Sequence, residues 1–126
     1  MIKFRAWDKE NEVYLYNIQD AYDTLSGFVK YDDGEDAEYY EDCFGAFLNN
    51  KRYDVEQFTG LKDVNGKEIY EGDILENRKY RSIVKFASGK FLADVVGTIS
   101  RFDLIGETHG SKVIGNVHAN PELLKG

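Results

Sequence analysis

The chain has 126 residues, of which 42% are hydrophobic, 14% aromatic and 31% charged; it can bury a core without covalent staples and is too apolar for a disordered chain. No apolar run approaches the roughly 18 residues that would suggest a membrane span. The net charge of -7 argues against diffuse phosphate neutralisation, and the lone Cys43 excludes both an internal disulfide and a cysteine-based zinc site, as suits a reducing compartment.

The acidity is unevenly spread. Residues 1 to 60 carry 6 Lys+Arg against 14 Asp+Glu, whereas residues 61 to 126 carry 10 against 9. Any reading of partners therefore treats the two halves separately. The N-terminus MIKFRAWDKE has no apolar stretch leading to a small-residue cleavage site, so the protein is expected to stay in the cytoplasm.

In chain order, Ile2, Phe4 and Ala6 alternate with Lys3, Arg5 and Trp7, and Val13 and Leu15 resume the two-residue period after DKEN. This predicts an N-terminal hairpin turning between Asp8 and Glu12. The acidic stretch DDGEDAEYYED leads into CFGAFL, where Tyr40, Phe44, Phe47 and Leu48 recur at helical spacing. One short helix from about Asp36 to Asn49 is expected, weakened by Gly45. Tyr53 and Val55 then begin a short strand.

FTGLKDVNGKEIYEGDIL, residues 58 to 75, follows. Asn65-Gly66 suits a type I′ reversal between LKDV and KEIY, with positive φ at both positions. Gly60 and Gly72 supply further bends, while Ile69, Tyr70, Ile74 and Leu75 provide core residues. Downstream strands begin at Ile83, at FLADVV, at TISRFDLI and at SKVIGNVH, separated by Ser88-Gly89 and by the turn from Gly106 to Gly110. Such short strands predict a small closed barrel or a sandwich. In NPELL, Asn120 caps a final helical turn that starts at Pro121. The fold class expected is α+β, mainly β.

Three blocks, MIKFRAWDKENEVY, QFTGLKDVNGKEIYEGDIL and VIGNVHANPELL, resemble the YopX-like family of small proteins encoded by phages and prophages of Gram-positive bacteria. The resemblance implies a β-rich domain with an SH3-like or related barrel in its C-terminal part. On that basis residues 1–56 form a hairpin plus an acidic helical insert, and residues 57–126 a barrel-like part of one domain. It implies no reaction and carries over no catalytic residue.

Two surfaces are candidates for recognition. In the first half Asp32, Asp33, Asp36 and Glu38 interleave with Tyr39 and Tyr40; tyrosines among carboxylates can anchor a protein partner, although a helix start is acidic for reasons of its own. The run lacks the ligand register of a calcium loop. In the second half Arg78, Lys79, Arg81, Lys85 and Lys90 surround Tyr80, Phe86 and Phe91, a pattern suited to stacking on single-stranded bases or, equally, to protecting an edge hairpin. His109 and His118 lack the spacing of a metal pair, and no phosphate cradle, dinucleotide fingerprint or nucleophile elbow occurs. Expected are a non-catalytic binding or assembly module without cofactor or metal, a host or phage protein as partner, homo-oligomerisation through edge strands as a further option, and nucleic-acid binding as the alternative.

Overall fold

Short alternating segments separated by glycine turns fold here as antiparallel strands, and the computed structural model describes residues 2–20, 47–48 and 50–124 of the chain. These hold nine β-strands: β1 Phe4–Asp8, β2 Val13–Tyr16, β3 Tyr53–Lys62, β4 Glu68–Tyr70, β5 Asp73–Glu76, β6 Arg81–Ala87, β7 Lys90–Val95, β8 Arg101–Asp103 and β9 Lys112–Asn116. The protein is mainly β. Of the expected helix, only Phe47 and Leu48 fall among the described residues, and both are helical; the remainder of that expectation lies outside them. No helix of the described residues is long and apolar enough to cross a membrane.

The chain divides into two compact units, Met1–Gln57 and Phe58–Gly126. In the first, β1 is central, pairing with β2 from Arg5↔Tyr16 to Asp8↔Val13 and with β3 from Phe4↔Gln57 to Asp8↔Tyr53. The predicted hairpin is present. Ala6, Trp7 and Ile18 are its buried apolar residues, and Trp7 meets Tyr14 edge-on at 4.9 Å.

In the second unit, strands order as β8-β7-β6-β5-β9. Ile69, Leu75, Val84, Ala93 and Leu104 form the core, with Leu61, Phe91 and Val113 packed on it. Pairing Leu75↔Ser82, Val84↔Ala93 and Leu75↔Val113 puts these core side chains on one face of the sheet. The opposite face carries Arg81, Lys85, Asp94 and Arg101.

The expected C-terminal barrel is corrected: the strands group into two sheets along the chain, β2-β1-β3-β4 and β8-β7-β6-β5-β9. The reason lies in β3, which does not stop at Gln57 but runs on to Lys62 and pairs with β4. The Glu71–Gly72 turn then sends β5 to β6 and β9 instead of back to β4.

Between Phe58↔Tyr70 and Lys62↔Glu68, three residues of β3 face one of β4. Gly60 takes φ +86° in this bulge, as glycine readily does. The Thr59 hydroxyl ties it down, donating to Ile69 O at 2.8 Å and accepting from Leu61 N at 3.2 Å.

The turn chemistry also departs from expectation. Asn65 does not adopt positive φ, whereas Gly66 does, at +84°. Gly66 N donates to Asp63 O at 2.9 Å and Asp63 N to Lys67 O at 2.8 Å, so residues 64–66 make a three-residue loop with glycine at the left-handed position. The type I′ pattern belongs to Ser88-Gly89, where φ is +55° and +80° between the paired Ala87 and Lys90. The Asn65 N–H is held by the Asp63 carboxylate at 2.8 Å, which ties Asn65 into this loop without a positive φ.

The C-terminal turn is a 3-10 helix, Pro121–Leu124, with Leu123 N donating to Asn120 O at 3.1 Å. Asn120 Oδ1 reaches back to accept from Asn116 N at 3.2 Å. A Cβ on Gly115 would lie 2.5 Å from that oxygen. Gly115→Ala is therefore expected to lower stability by about 1–3 kcal/mol through overpacking, and Asn120→Gly in that background should recover part of the loss. Chemical denaturation of the single and double variants measures this; simple additivity of the two effects would refute the clash.

Candidate functional site

The acidic candidate residues Asp32, Asp33, Asp36, Glu38, Tyr39 and Tyr40, and Cys43 beside them, lie outside the described residues. The basic candidates are all described. Arg78 and Lys79 are exposed in the turn between β5 and β6, where Asn77 Oδ1 accepts from the backbone N–H groups of Lys79 and Tyr80 at 2.8 and 2.9 Å. Neither side chain forms an ion pair among the described residues.

The other basic residues are matched by carboxylates across the sheet. Arg81 pairs with Glu76 at 3.0 Å and also donates to Leu123 O at 3.1 Å. Lys85 lies 3.5 Å from Asp94, and Arg101 grips the same carboxylate through Nε at 2.7 Å and Nη2 at 3.2 Å. Lys90 meets Asp103 at 2.8 Å. The hydrogen bond from Arg101 holds the Asp94 carboxyl below its ordinary value against the opposing effect of burial, with the charges of Arg101 and Lys85 adding to it. The sequence displays the cations as a run because the residues that answer them come from neighbouring strands.

Tyr80 stacks on Phe102, ring centres 5.8 Å apart and planes at 21°. Its hydroxyl donates to Glu107 Oε1 at 2.6 Å, a bond that favours the neutral phenol and, with burial, raises its pKa. Phe86 and Phe91 meet edge-on at 4.9 Å. Phe91 also lines a shallow apolar hollow with Leu61, Leu104 and Ile105, rimmed by Lys90 and Asp103. His109 is exposed in its turn. Among the described residues, no group of three or more His, Cys, Asp or Glu side chains could hold a metal ion.

The buried titratable groups are engaged in holding backbone and strands. In the first unit, Asp8 receives Arg52 as a two-pronged pair, Nε to Oδ1 and Nη2 to Oδ2, each at 2.9 Å. Asp8 also accepts from Glu10 N at 2.9 Å and Asn11 N at 3.2 Å, fixing the turn after β1. Arg52 accordingly holds the Asp8 carboxyl well below the usual carboxylate range, and its own affinity for its proton rises. Arg5 and Glu56, directly opposite each other on β1 and β3, form a buried pair at 2.8 Å. Tyr14 donates to the same Glu56 oxygen at 3.0 Å while the Arg5 guanidinium lies 4.1 Å over the Tyr14 ring.

In the second unit the corresponding residue is Asp63. Its Oδ1 accepts from Asn65 N at 2.8 Å and Lys67 N at 2.9 Å, and its Oδ2 from Val113 N at 2.8 Å. One carboxylate thus closes the 63–67 loop and joins it to β9. Nearby, Asp73 Oδ2 accepts from Tyr70 N at 2.8 Å. Composition and motif scanning pass over these aspartates; the available signal was an aspartate two residues before Asn-Gly, an arrangement that bonds its own turn. Among the described residues, no buried side-chain nitrogen or oxygen lacks a hydrogen-bond partner.

Burial pushes the Asp63 carboxyl up, but the amides of Val113, Lys67 and Asn65 outweigh it, leaving the carboxyl below its ordinary value of 3.8. Its ionised form therefore stabilises the fold above that value, and the benefit is lost as pH falls through the lower folded value. Asp63→Asn is expected to cost about 1–3 kcal/mol near neutral pH, because an amide nitrogen now confronts a backbone donor. Urea denaturation at neutral and strongly acidic pH should show the gap to the natural protein narrowing in acid; a gap independent of pH would assign the loss to shape and not to charge.

The comparisons with known proteins agree with the fold. A family model described as YopX protein matches residues 3–125. The chain also superposes on the crystal structure of protein EF1440 from Enterococcus faecalis with a TM-score of 0.61 and 27% identity, covering 99% of each chain. No curated protein matches. With the match spanning nearly every residue, the chain belongs to the YopX protein family.

Proposed function

We propose that this YopX-family chain is a non-catalytic protein-binding or assembly module, encoded by a phage or prophage and working in the host cytoplasm. The single cysteine suits that reducing setting. The observation that carries the reading is the contrast on the second unit's surface. There, Arg81, Lys85, Lys90 and Arg101 are each met by a carboxylate, whereas Phe86, Ile99, Phe102 and Ile105 remain exposed. Paired charges interleaved with open apolar groups suit a protein surface better than a polyphosphate. The buried carboxylates, bound to backbone amides or arginines, are poorly placed to act as general acids or bases, which supports the non-catalytic part of the reading.

Within this proposal Asp32, Asp33, Asp36, Glu38, Tyr39 and Tyr40 supply a second, acidic recognition surface. Affinity capture from host lysate with and without nuclease, read by mass spectrometry, is expected to retain a nuclease-resistant protein. Neutralising Asp32, Asp33, Asp36 and Glu38 together should release it while circular dichroism stays unchanged. Retention by the neutralised variant would reduce the acids to solvation.

One observation favours nucleic acid as the second reading: Arg78 and Lys79 are exposed and without an ion pair, next to the Tyr80–Phe102 stack. On that reading, retention on single-stranded DNA at low salt disappears in the Arg78→Ala, Lys79→Ala, Arg81→Ala triple variant. Retention unchanged by the substitutions, or absent from the natural protein, excludes it.

A further inference from the structure

The five-stranded order ends at β8, whose outer side no other strand covers among the described residues. All three of its residues are exposed. Residues 99–105 read Ile-Ser-Arg-Phe-Asp-Leu-Ile, a segment nearly symmetric about Phe102. One step away on either side stand a cation and an anion, and three steps away stand two isoleucines. Those isoleucines are the most exposed large apolar residues among those described, Ile99 at 103% and Ile105 at 68%, with Phe102 itself at 42%.

The backbone has matching symmetry. Val95 N–H donates to Ser100 O at 2.9 Å, in register with Asp94↔Arg101 and Ala93↔Phe102. Antiparallel ladders alternate, so the peptide groups of Phe102 turn toward β7 while those of Arg101 and Asp103 turn to the open edge.

We propose that β8 pairs antiparallel with β8 of a second copy of this chain, about a two-fold axis passing at Phe102. In that register Arg101 stands opposite Asp103 of the second copy, and the outward N–H and C=O groups of those two residues bond each other. The same happens with the copies exchanged, as a two-fold interface requires. Ile99, in the bend before β8, and Ile105, in the 3-10 turn 104–106 after it, are brought to the two ends of the paired strands, where the exposed apolar groups of the two copies meet. The existing Lys90–Asp103 and Arg101–Asp94 pairs then join into an alternating row of charges across the interface. A shift of one residue sets outward-facing backbone groups against inward-facing ones, and a shift of two sets the two Arg101 or the two Asp103 side chains opposite each other, where like charges directly opposed disfavour pairing.

A second copy is the occupant because the strand is complementary to itself in charge, in apolar flanks and in backbone register at once. The contact is narrow, so the pairing belongs to the weak, concentration-dependent class. It deepens the assembly reading above by naming one partner, and the two can fail separately. A monomeric protein that still captures a nuclease-resistant partner sinks the β8 pairing alone; a dimer that captures nothing sinks only the separate partner.

The test is a charge exchange followed by sedimentation equilibrium over a range of concentrations. The natural protein is expected to approach twice the chain mass as concentration rises. Arg101→Asp alone sets acids against acids, and Asp103→Arg alone sets bases against bases, so each should stay at one chain mass. An equimolar mixture of the two variants restores opposite charges at both positions and should again approach two chains. Circular dichroism checks that each variant is folded. Should either single variant unfold, the Arg101→Asp, Asp103→Arg double exchange carries the test and should dimerise like the natural protein. The proposal is overturned if the natural protein stays at one chain mass throughout, if the single variants associate as it does, or if neither the mixture nor the double exchange recovers dimer.

Discussion

Buried aspartates that accept backbone N–H groups hold this protein's turns, and most of the remaining architecture depends on them. A protein built from three- to ten-residue strands has many chain reversals, and each reversal leaves amide groups outside the ladder. Asp8, Asp63 and Asp73 take up several of them. Removing a carboxylate from water is costly, and it is tolerated at Asp8 because an arginine and two backbone amides are aimed at it and at Asp63 because three backbone amides are. Asp63 does most, since its two oxygens bind a loop and a strand about fifty residues apart in sequence.

The same economy governs the charged surface of the second unit. Cations on β6, β7 and β8 are each placed beside an acid on an adjacent strand or on the same hairpin. Exposed pairs of this kind contribute little to stability individually. On the proposed reading, they weaken the local field that a polyanion would need and leave the apolar side chains between them as the distinctive feature. Membership in the YopX family and the likeness to the Enterococcus faecalis protein agree with a shared β scaffold; the chemistry of its surfaces has to be argued from the residues themselves.

Much of the strand pattern could be read directly. The N-terminal hairpin, the turns at Gly66, Gly72 and Ser88-Gly89, and the closing turn at Pro121 follow from two-residue periodicity and from residues with narrow backbone preferences. The two misreadings share one cause. Asn65-Gly66 has the preference for a type I′ turn, but the Asp63 carboxylate captures Asn65 N and settles a different loop. Likewise Gly60 looks like the end of a strand, yet Thr59 satisfies the bulge and β3 continues. In both places a side-chain hydrogen bond overrides a backbone propensity whose whole range is about 1 kcal/mol.

The sequence by itself determined that this is a β-rich chain, where most of its strands and turns fall, and which family it resembles, because those properties rest on local periodicity, local backbone preference and contiguous motifs. Only the tertiary structure decided that the strands form two sheets instead of one barrel, that Arg81, Lys85 and Lys90 of the basic run are met by carboxylates, and that Arg5 finds Glu56 while Asp63 finds Val113. Those outcomes depend on which distant strands become neighbours, and strand pairing is fixed by register between segments far apart in the chain, which no local window of residues contains.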